Sequence, residues 1–188
     1  DGAGQGGKME EWLETMATLG DKEHWRIDEK EIEILRGDVL GEGGFGQVMR
    51  AIFCGVLVAV KLPSGGIDGK QLRNFQAISN ELRTLRHVRH QNIVAIHGAV
   101  IDPARRQIAL VMELVNGATL RAFVLAGPDG GPGLLERYEV MLGVCRALLY
   151  LHTRCPPIVH GDIKSSNIMV EAPARAKLLD FGLSRVLT

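Results

Sequence analysis

The chain has 188 residues, and its 22 lysines and arginines balance 22 aspartates and glutamates, so the formal net charge is zero. That balance argues against a basic nucleic-acid groove or a polybasic membrane patch as the main working surface. Hydrophobic residues make up 46% and charged residues 23%, which excludes wholesale disorder and is typical of a folded domain. Three cysteines without a Cys-x-x-Cys pair argue against a disulfide framework or a zinc site. Every apolar run is shorter than the ~18 residues that span a bilayer.

Sheet with one helix is predicted for most of the first half of the chain, and helix for most of the second half. Residues 1–7 contain four glycines and are predicted to be a flexible lead-in, and residues 9–19 carry apolar side chains at helical spacing. Trp25 and Ile27 form a short apolar anchor. Strands are predicted at residues 32–40, 47–53 and 56–62, with a Cys-Gly turn between the last two.

The rest of the chain is predicted to turn from sheet to helix. An amphipathic helix at residues 70–87 and strands at 93–100 and 107–115 are followed by a short helix at 118–126. A long helix at 134–152 precedes two short strands, and a change of character near Asn116 predicts two lobes. The side chains of the long helix that suit a core are Leu135, Tyr138, Met141, Leu142, Cys145, Leu148 and Leu149. The short strands are expected at residues 168–170 and 177–179.

The glycine run Gly41-Glu42-Gly43-Gly44-Phe45-Gly46 is compatible with a plain turn or with one of three phosphate-binding loops. A Walker A loop requires Gly-Lys and then Ser or Thr, whereas Gln47 and Val48 follow here. A dinucleotide fingerprint requires a helix after the loop and an acidic residue about twenty positions on. Here a strand follows the loop and Lys61 occurs instead of a carboxylate, so the pattern favours a hairpin that covers a nucleotide.

Lys61 is the only charged residue in an otherwise apolar strand. Taken alone it could be an edge lysine that reaches water, or a lysine pointing inward to neutralise phosphates. An inward lysine needs a fixed counter-charge, and Glu81 lies twenty residues downstream on the predicted amphipathic helix. By itself Glu81 is equally compatible with a solvated helix surface.

A later loop and the strand after it carry the remaining chemistry. The loop contains Asp162, Lys164 and Asn167, and Asp180 directly follows an apolar strand. Carboxylate and amide oxygens are the hard ligands that magnesium prefers, and a further carboxylate can orient a hydroxyl and accept its proton. Each residue alone also suits an ordinary turn, but the joint order of glycine lid, lysine, helix glutamate, Asp–Lys–Asn loop and Asp-Phe-Gly is not credible as coincidence.

With these motifs, residues 34–188 resemble a eukaryotic protein kinase domain. The resemblance implies an α+β, bilobal fold, with an N-terminal extension at 1–33, a β-rich small lobe at 34–115 and an incomplete helical large lobe at 116–188. Only eight residues follow Asp180, so the family's peptide-binding platform is not in this stretch. The chain as given is therefore expected to be inactive by itself.

The resemblance also implies a role for each motif residue in transferring the γ-phosphoryl group of MgATP to a protein hydroxyl. Lys61 would hold the α- and β-phosphates and pair with Glu81. Asp162 would orient the substrate hydroxyl and take its proton, and Lys164 would neutralise charge on the transferring phosphate. The implied magnesium ligands are Asn167 and Asp180.

By the same resemblance, ATP would bind in a slot between the lobes, with Met112 as gatekeeper. Leu85, Ile96, His160 and Phe181 match the family's stacked apolar spine, so His160 is expected to be a packing residue and not a base. The residues implied to contact ATP, besides Lys61, are Leu40, Gly41, Glu42, Gly43, Gly44, Phe45, Gly46, Val48, Ala59, Met112, Glu113, Val115 and Met169.

The loop Asp162-x-Lys164, followed by Ser-Ser-Asn, resembles serine/threonine kinases, and the wider pattern resembles the tyrosine-kinase-like group with its plant receptor-like members. Gly161 replaces the arginine that this family usually has before the catalytic aspartate. Since that arginine pairs with a phosphate on the activation loop, regulation by another route is expected.

Two further interpretations accompany the active kinase. A non-catalytic nucleotide-binding or scaffolding module, as in pseudokinases, usually lacks one of the residues that match Lys61, Asp162 and Asp180, and all three are present. A cytoplasmic domain, free or on the inner side of a membrane receptor, is compatible with either activity. The expected partners are ATP and a protein substrate, with no nucleic acid and no membrane segment in this stretch; the motifs identify no regulatory partner.

Overall fold

The computed structural model describes residues 2–43, 46–63, 69–126 and 131–187. These residues divide into two compact units. The first comprises residues 1–82 and 96–114, and the second residues 83–95 and 115–188. The α+β class expected from the sequence is confirmed: the first unit is built on one antiparallel sheet, and the second contains the longest helix after the N-terminal one together with short strands.

The N-terminal segment is helical and packs on the sheet of the first unit. Helix α1 spans Gly2–Lys22, so the flexible lead-in expected at residues 1–7 is wrong from Gly2 onward. Glycine disfavours helix by about 1 kcal/mol relative to alanine, which is why helix propensity does not predict the first two turns of this helix. The buried face lies further along, at Leu13, Met16 and Ala17.

The Trp25–Ile27 anchor, which follows α1, attaches the N-terminal segment to the sheet by backbone hydrogen bonds. The amide of Ile27 donates to the carbonyl of Ala99 at 2.9 Å, and the amide of Ala99 donates to the carbonyl of Trp25 at 3.0 Å. Trp25 and Ile27 are buried. The partner of this segment, which the sequence did not indicate, is therefore the strand that contains Ala99.

The sheet of the first unit has five antiparallel strands in the order β1-β2-β3-β5-β4. Side chains alternate across each strand, so one face supplies the core. The strands are β1 (Ile32–Gly43), β2 (Gly46–Phe53), β3 (Val56–Leu62), β4 (Ile96–Asp102) and β5 (Gln107–Glu113). The core cluster consists of Ile27, Ala51, Val58, Val60, Ala109 and Val111.

Helix α2 spans Gly69–Leu85, and its residues from Ala77 onward alternate between buried and exposed positions at helical spacing. Ile78, Leu82 and Leu85 are fully buried. The division between the two units falls within this helix, after Leu82.

The second unit combines a three-stranded sheet, a two-stranded ribbon and a long helix. The sheet has the order β6-β8-β9, and β10 pairs with β7 in the ribbon. The elements are β6 (Gly117–Thr119), α3 (Leu120–Val124), α4 (Leu134–His152), β7 (Ile158–Val159), β8 (Ile168–Glu171), β9 (Arg175–Leu178) and β10 (Arg185–Val186). Strand β6 occupies the start of the helix expected at residues 118–126, because its three residues pair with β8.

Helix α4 has the predicted bounds but buries a different face. The buried positions are Val140, Gly143, Ala147 and Leu151. Of the predicted core residues, Leu142 and Leu148 are partly buried, and the others are exposed, with Met141 at 68%. At the buried face, a Cβ added to Gly143 would lie 3.3 Å from the Cβ of Ala176, so only a small side chain fits at that position. The exposed members of the predicted set are Leu135, Tyr138, Met141, Cys145 and Leu149.

Candidate active site

Lys61 lies on a central strand and not on an edge. Strand β3 pairs with β2 on one side and with β5 on the other. Val58 and Val60 point into the core cluster, so alternation directs Lys61 to the opposite face. Its exposed fraction is 7%, which excludes the interpretation of a lysine that reaches water.

The counter-charge of Lys61 is Glu81. The Nζ atom of Lys61 donates to Oε2 of Glu81 at 2.6 Å, and Glu81 is only 1% exposed. The interpretation of Glu81 as a solvated helix residue is therefore wrong. A buried charge is retained only when it is paired and hydrogen-bonded, so this ion pair defines one fixed position for the lysine ammonium.

The glycine loop is the connection between β1 and β2. Gly43 pairs with Gly46 and Gly41 with Val48. Gly46 has φ 146°, and a Cβ added there would collide with the carbonyl oxygen of Leu62, so glycine is required at this position. Gly44 and Phe45, at the tip of the expected lid, lie outside the described residues.

The remaining residues expected around ATP are distributed over both units. In the first unit, Ala59 on β3 pairs with Met112 on β5, and both side chains are buried. The carboxyl end of β5 is Glu113, and β1 carries Leu40 and Glu42. Val115 and Met169 belong to the second unit.

The second unit brings Asp162, Lys164 and Asn167 together in one loop. Nζ of Lys164 donates to Oδ2 of Asp162 at 2.6 Å, and Nδ2 of Asn167 donates to the same oxygen at 2.9 Å. Nδ2 of Asn167 also donates to the backbone carbonyl of Asp162 at 3.0 Å. These bonds fix the aspartate carboxylate and turn Oδ1 of Asn167 away from it.

The same contacts set the charge of Asp162. The hydrogen bond from Lys164, aided by that from Asn167, lowers the pKa of the Asp162 carboxyl below its ordinary value of 3.8, although partial burial opposes the shift. Asp162 is therefore ionised throughout the neutral range and is an oriented acceptor rather than a strong base.

Asp180 lies in a turn that is tied to this loop through the backbone. The amide of Leu179 donates to the carbonyl of Asn167 at 2.8 Å. Asp180 itself has φ 59°, a left-handed conformation that is uncommon for a residue other than glycine, and its Oδ1 accepts from the amide of Gly182 at 3.4 Å. Strained backbone of this kind clusters at functional sites.

His160 is a packing residue, as expected. It is fully buried and lies edge-on to Phe181, with ring centroids 4.5 Å apart. Its Nδ1 accepts from the amide of Asp162, so Nε2 is the atom that donates to the carbonyl of Leu179 at 2.9 Å. Burial lowers the pKa of this imidazole, although the bond to Leu179 opposes the shift, and the ring is neutral.

Gly161 has a structural role that its place in the motif did not reveal. Its φ is 84°, and a Cβ added there would collide with the carbonyl oxygen of Leu183. The segment after Asp180 therefore approaches the loop so closely that an arginine at position 161 would displace it.

Sequence reasoning missed a buried contact close to the turn that follows Asp180. The hydroxyls of Thr84 and Ser184 lie 2.9 Å apart in a hydrogen bond, although one hundred residues separate them in the chain. No local pattern in the sequence indicates the pairing.

Within the described part of the chain, no group of three or more histidine, cysteine, aspartate or glutamate side chains is arranged to hold a metal ion. Nor does any of the described helices combine the length and apolar character needed to cross a membrane.

Comparison with known sequences agrees with the motif order. The profile of the protein kinase domain matches residues 35–188. The chain is 38% identical over 151 residues to the proline-rich receptor-like protein kinase PERK15 of Arabidopsis thaliana, and 37% identical over 154 residues to the serine/threonine-protein kinase pelle of Drosophila melanogaster. It is also 37% identical over 156 residues to the calmodulin-binding receptor-like cytoplasmic kinase 1 of Arabidopsis thaliana.

These alignments cover 79%, 78% and 79% of the chain but only 28%, 30% and 31% of the three relatives, so the chain spans less than a third of their length. The profile match covers most of the chain, from the first sheet strand to the end of the sequence. On that match the chain belongs to the protein kinase domain family.

Proposed function

We propose that the protein carrying this domain is a serine/threonine protein kinase, which transfers the γ-phosphoryl group of MgATP to serine or threonine hydroxyls of proteins. The observation that carries the proposal is the fixed carboxylate of Asp162, held by Lys164 at 2.6 Å and by Asn167 at 2.9 Å. The serine/threonine class is supported by the similarity to pelle and to receptor-like kinases.

Phosphoryl transfer requires positioning and charge neutralisation more than covalent chemistry from the protein. In this proposal Asp162 accepts a hydrogen bond from the substrate hydroxyl and takes its proton as the bond to phosphorus forms. Lys164 moves its charge from Asp162 to the transferring phosphoryl group. Lys61, held in place by Glu81, binds the phosphates that remain as the diphosphate leaving group.

The donor set fits magnesium. Oδ1 of Asn167 and the carboxylate of Asp180 are hard oxygen ligands, and both bonds of Nδ2 direct that amide oxygen away from Asp162. Magnesium sites in kinases take one or two such side chains, with phosphate oxygens and waters completing the shell. When bound, the ion would neutralise charge on the phosphates, and Asn167 and Asp180 would set where that charge is neutralised.

The adenine site is proposed from the residues matched above. Ala59 and Met112 are buried neighbours on adjacent strands, and the backbone that follows Met112, at Glu113 and Val115, would supply the hydrogen bonds to adenine. Leu40 on β1 and Val48 on β2 would complete the apolar walls within the first unit. We also propose that the domain works in the cytoplasm or on the cytoplasmic side of a membrane, where MgATP is available.

We expect Asp162→Asn to slow catalysis strongly without preventing nucleotide binding, because the amide cannot accept the proton while the fold around it is unchanged. Phosphate transfer from radiolabelled ATP to casein, measured with the full-length protein, should fall about 10²–10⁴-fold in kcat. The affinity of this variant for MgATP, measured by calorimetry, should change little. Phosphoamino-acid analysis of casein phosphorylated by the wild-type protein should give phosphoserine and phosphothreonine.

The matched control is Asp21→Asn, the same change at an exposed aspartate of α1. It should leave both quantities unchanged. MgATP binding without transfer by the wild-type protein would contradict the proposal and favour the non-catalytic module. Transfer that persists in Asp162→Asn would contradict the assignment of the site.

A further inference from the structure

The segment that follows Asp180 is anchored by a pair of hydroxyls. Thr84 lies in the last turn of α2, and Ser184 lies four residues after Asp180. Their oxygens are 2.9 Å apart, and the two residues are only 5% and 4% exposed. A buried hydroxyl is costly unless it is hydrogen-bonded, so this pair specifies one position for Ser184 relative to the end of the helix.

The position of Ser184 is transmitted to Asp180 through a tight turn. The amide of Ser184 donates to the carbonyl of Phe181 at 3.0 Å, which closes a turn over residues 181–184 directly after Asp180. Asp180, with its left-handed φ of 59°, immediately precedes that turn, and its Oδ1 accepts from the amide of Gly182 within it. A displacement of Ser184 would therefore move the backbone that aims the carboxylate of Asp180.

Backbone contacts hold the rest of the same segment. Arg185 and Val186 pair with β7, and the amide of Leu187 donates to the carbonyl of Pro157 at 2.9 Å. The carbonyl of Leu183 lies against Gly161, where no side chain fits. The Thr84–Ser184 hydrogen bond is a contact between side chains, so substitution can remove it without altering the backbone.

We propose that Thr84 and Ser184 are positioning residues, whose hydrogen bond holds the Asp180-Phe181-Gly182 turn in its metal-binding conformation. The inference rests on the proposed kinase function, since it concerns the same site. It also supplies a specific alternative to an arginine–phosphate pair: with glycine at position 161, the start of the segment is held by a contact built into the fold. The hydroxyl of Ser184 is thereby engaged and buried, so it anchors the segment and is not a phosphorylation site in this conformation.

The test removes the hydroxyls with little change of shape. In the full-length protein, Thr84→Val and Ser184→Ala should each lower kcat about tenfold and raise the magnesium concentration needed for half-maximal rate by a similar factor. Thr84→Ser, which keeps the hydroxyl, should behave as wild type. The double variant should be no worse than either single variant, because both break the same bond.

Hydrogen exchange gives a readout that does not require catalysis. Amides in residues 180–187 should exchange faster in Thr84→Val than in wild type, while thermal unfolding shows that the domain is still folded. The control is Thr18→Val, the same substitution at an exposed helical threonine of α1, which should change neither exchange nor magnesium dependence.

The outcomes separate this inference from the proposed function. If the wild type transfers phosphate and both single variants keep its kcat and magnesium dependence, the positioning role is overturned while the kinase function stands. If Thr84→Ser is as impaired as Thr84→Val, packing and not the hydroxyl is responsible, and the inference is also overturned. If the wild type transfers no phosphate, the kinase proposal fails, and unchanged exchange in residues 180–187 of Ser184→Ala would overturn the anchoring on its own.

Discussion

Lys61 and Glu81 form a buried ion pair that fixes the position of the lysine ammonium rather than adding to the stability of the fold. Removing two charges from water costs free energy that their attraction only partly returns. A fold with apolar residues of similar volume at both positions would often be as stable. The pair nevertheless holds the lysine ammonium 2.6 Å from a carboxylate that α2 fixes in place, which is what a phosphate-binding lysine requires.

Removing only one partner should therefore be costly for the fold as well as for activity. Lys61→Met takes away the ammonium beside a carboxylate that is 1% exposed, and we expect the free energy of unfolding to fall by about 3–5 kcal/mol. The double variant Lys61→Met/Glu81→Leu should regain most of that loss but remain inactive. Urea denaturation followed by circular dichroism, with a parallel phosphotransfer assay, measures both effects.

The comparison variant is Arg105→Met, which breaks the ion pairs of the exposed Arg105 with Glu29 and Asp102. Exposed pairs contribute about 0–1 kcal/mol, so this change should be small. A loss in Lys61→Met no larger than that in Arg105→Met would show that the buried pair is not held as described.

At the scale of elements, helix α4 shows how close packing selects a face. Its seam against β9 includes the small residues Gly143 and Ala147, and the side-chain amide of the buried Asn92 donates to the carbonyl of Ala176 at 2.8 Å alongside. Gly143 and Ala147 let the backbone of the helix approach β9 closely, whereas the larger apolar side chain of Met141 lies on the other face.

Substitution by alanine at two helical glycines should change the free energy of unfolding in opposite directions. A Cβ on Gly143 would lie 2.9 Å from Nδ2 of Asn92, so Gly143→Ala should lower the free energy of unfolding by about 1–3 kcal/mol. A Cβ on Gly7 in α1 would meet nothing within 4 Å, so Gly7→Ala should raise it by about 0.4–1 kcal/mol. Chemical denaturation of both variants checks the pair, and a stabilising Gly143→Ala would contradict the close packing of α4.

The elements that the sequence predicted best are those with an unbroken pattern. Strand β3 and helix α4 have the predicted bounds, because an apolar strand between turns and a long helix after a Gly-Pro run leave few alternatives. Strand β4 begins at Ile96, three residues later than expected, and β6 was missed. Both departures arise from pairing with strands distant in sequence, which local pattern does not contain.

At the scale of the whole chain, the buried His160 and the partly buried His90 link stability to pH. Burial is the main cause that lowers the pKa of both His160 and His90 below the ordinary value of 6.5. His160 packs on Phe181, and His90 stacks on Tyr150 at 5.0 Å. Between the folded and the unfolded pKa, the unfolded chain binds protons that the folded chain does not, so stability is present above 6.5 and is lost as the pH falls below it.

We therefore expect the free energy of unfolding to decrease between about pH 7.5 and about pH 5.5. The variant His160→Phe keeps an aromatic ring next to Phe181 but binds no proton, so its stability should depend less on pH over that range, whatever its absolute stability. Urea unfolding at both pH values measures the two slopes. Equal slopes in the variant and the wild type would contradict the role assigned to burial.

The sequence by itself determined the set of chemical groups and their order. Lys61, Glu81, Asp162, Asn167 and Asp180 were all identified from motif spacing, and the structure brings Lys61 to Glu81 and Asp162 to Asn167. Spacing suffices here because each group is placed by the strand, helix or short loop that carries it.

Only the tertiary structure decided which faces are buried and which distant residues meet. The periodicity of apolar residues indicates which side chains share a face of a helix. The shape of the element that packs against the helix decides which face is buried, as β9 does for α4. The docking of Trp25 on β4, the fit of Leu183 against Gly161 and the Thr84–Ser184 bond follow from contacts across many residues. Such contacts depend on close packing in three dimensions, which no local pattern in the chain records.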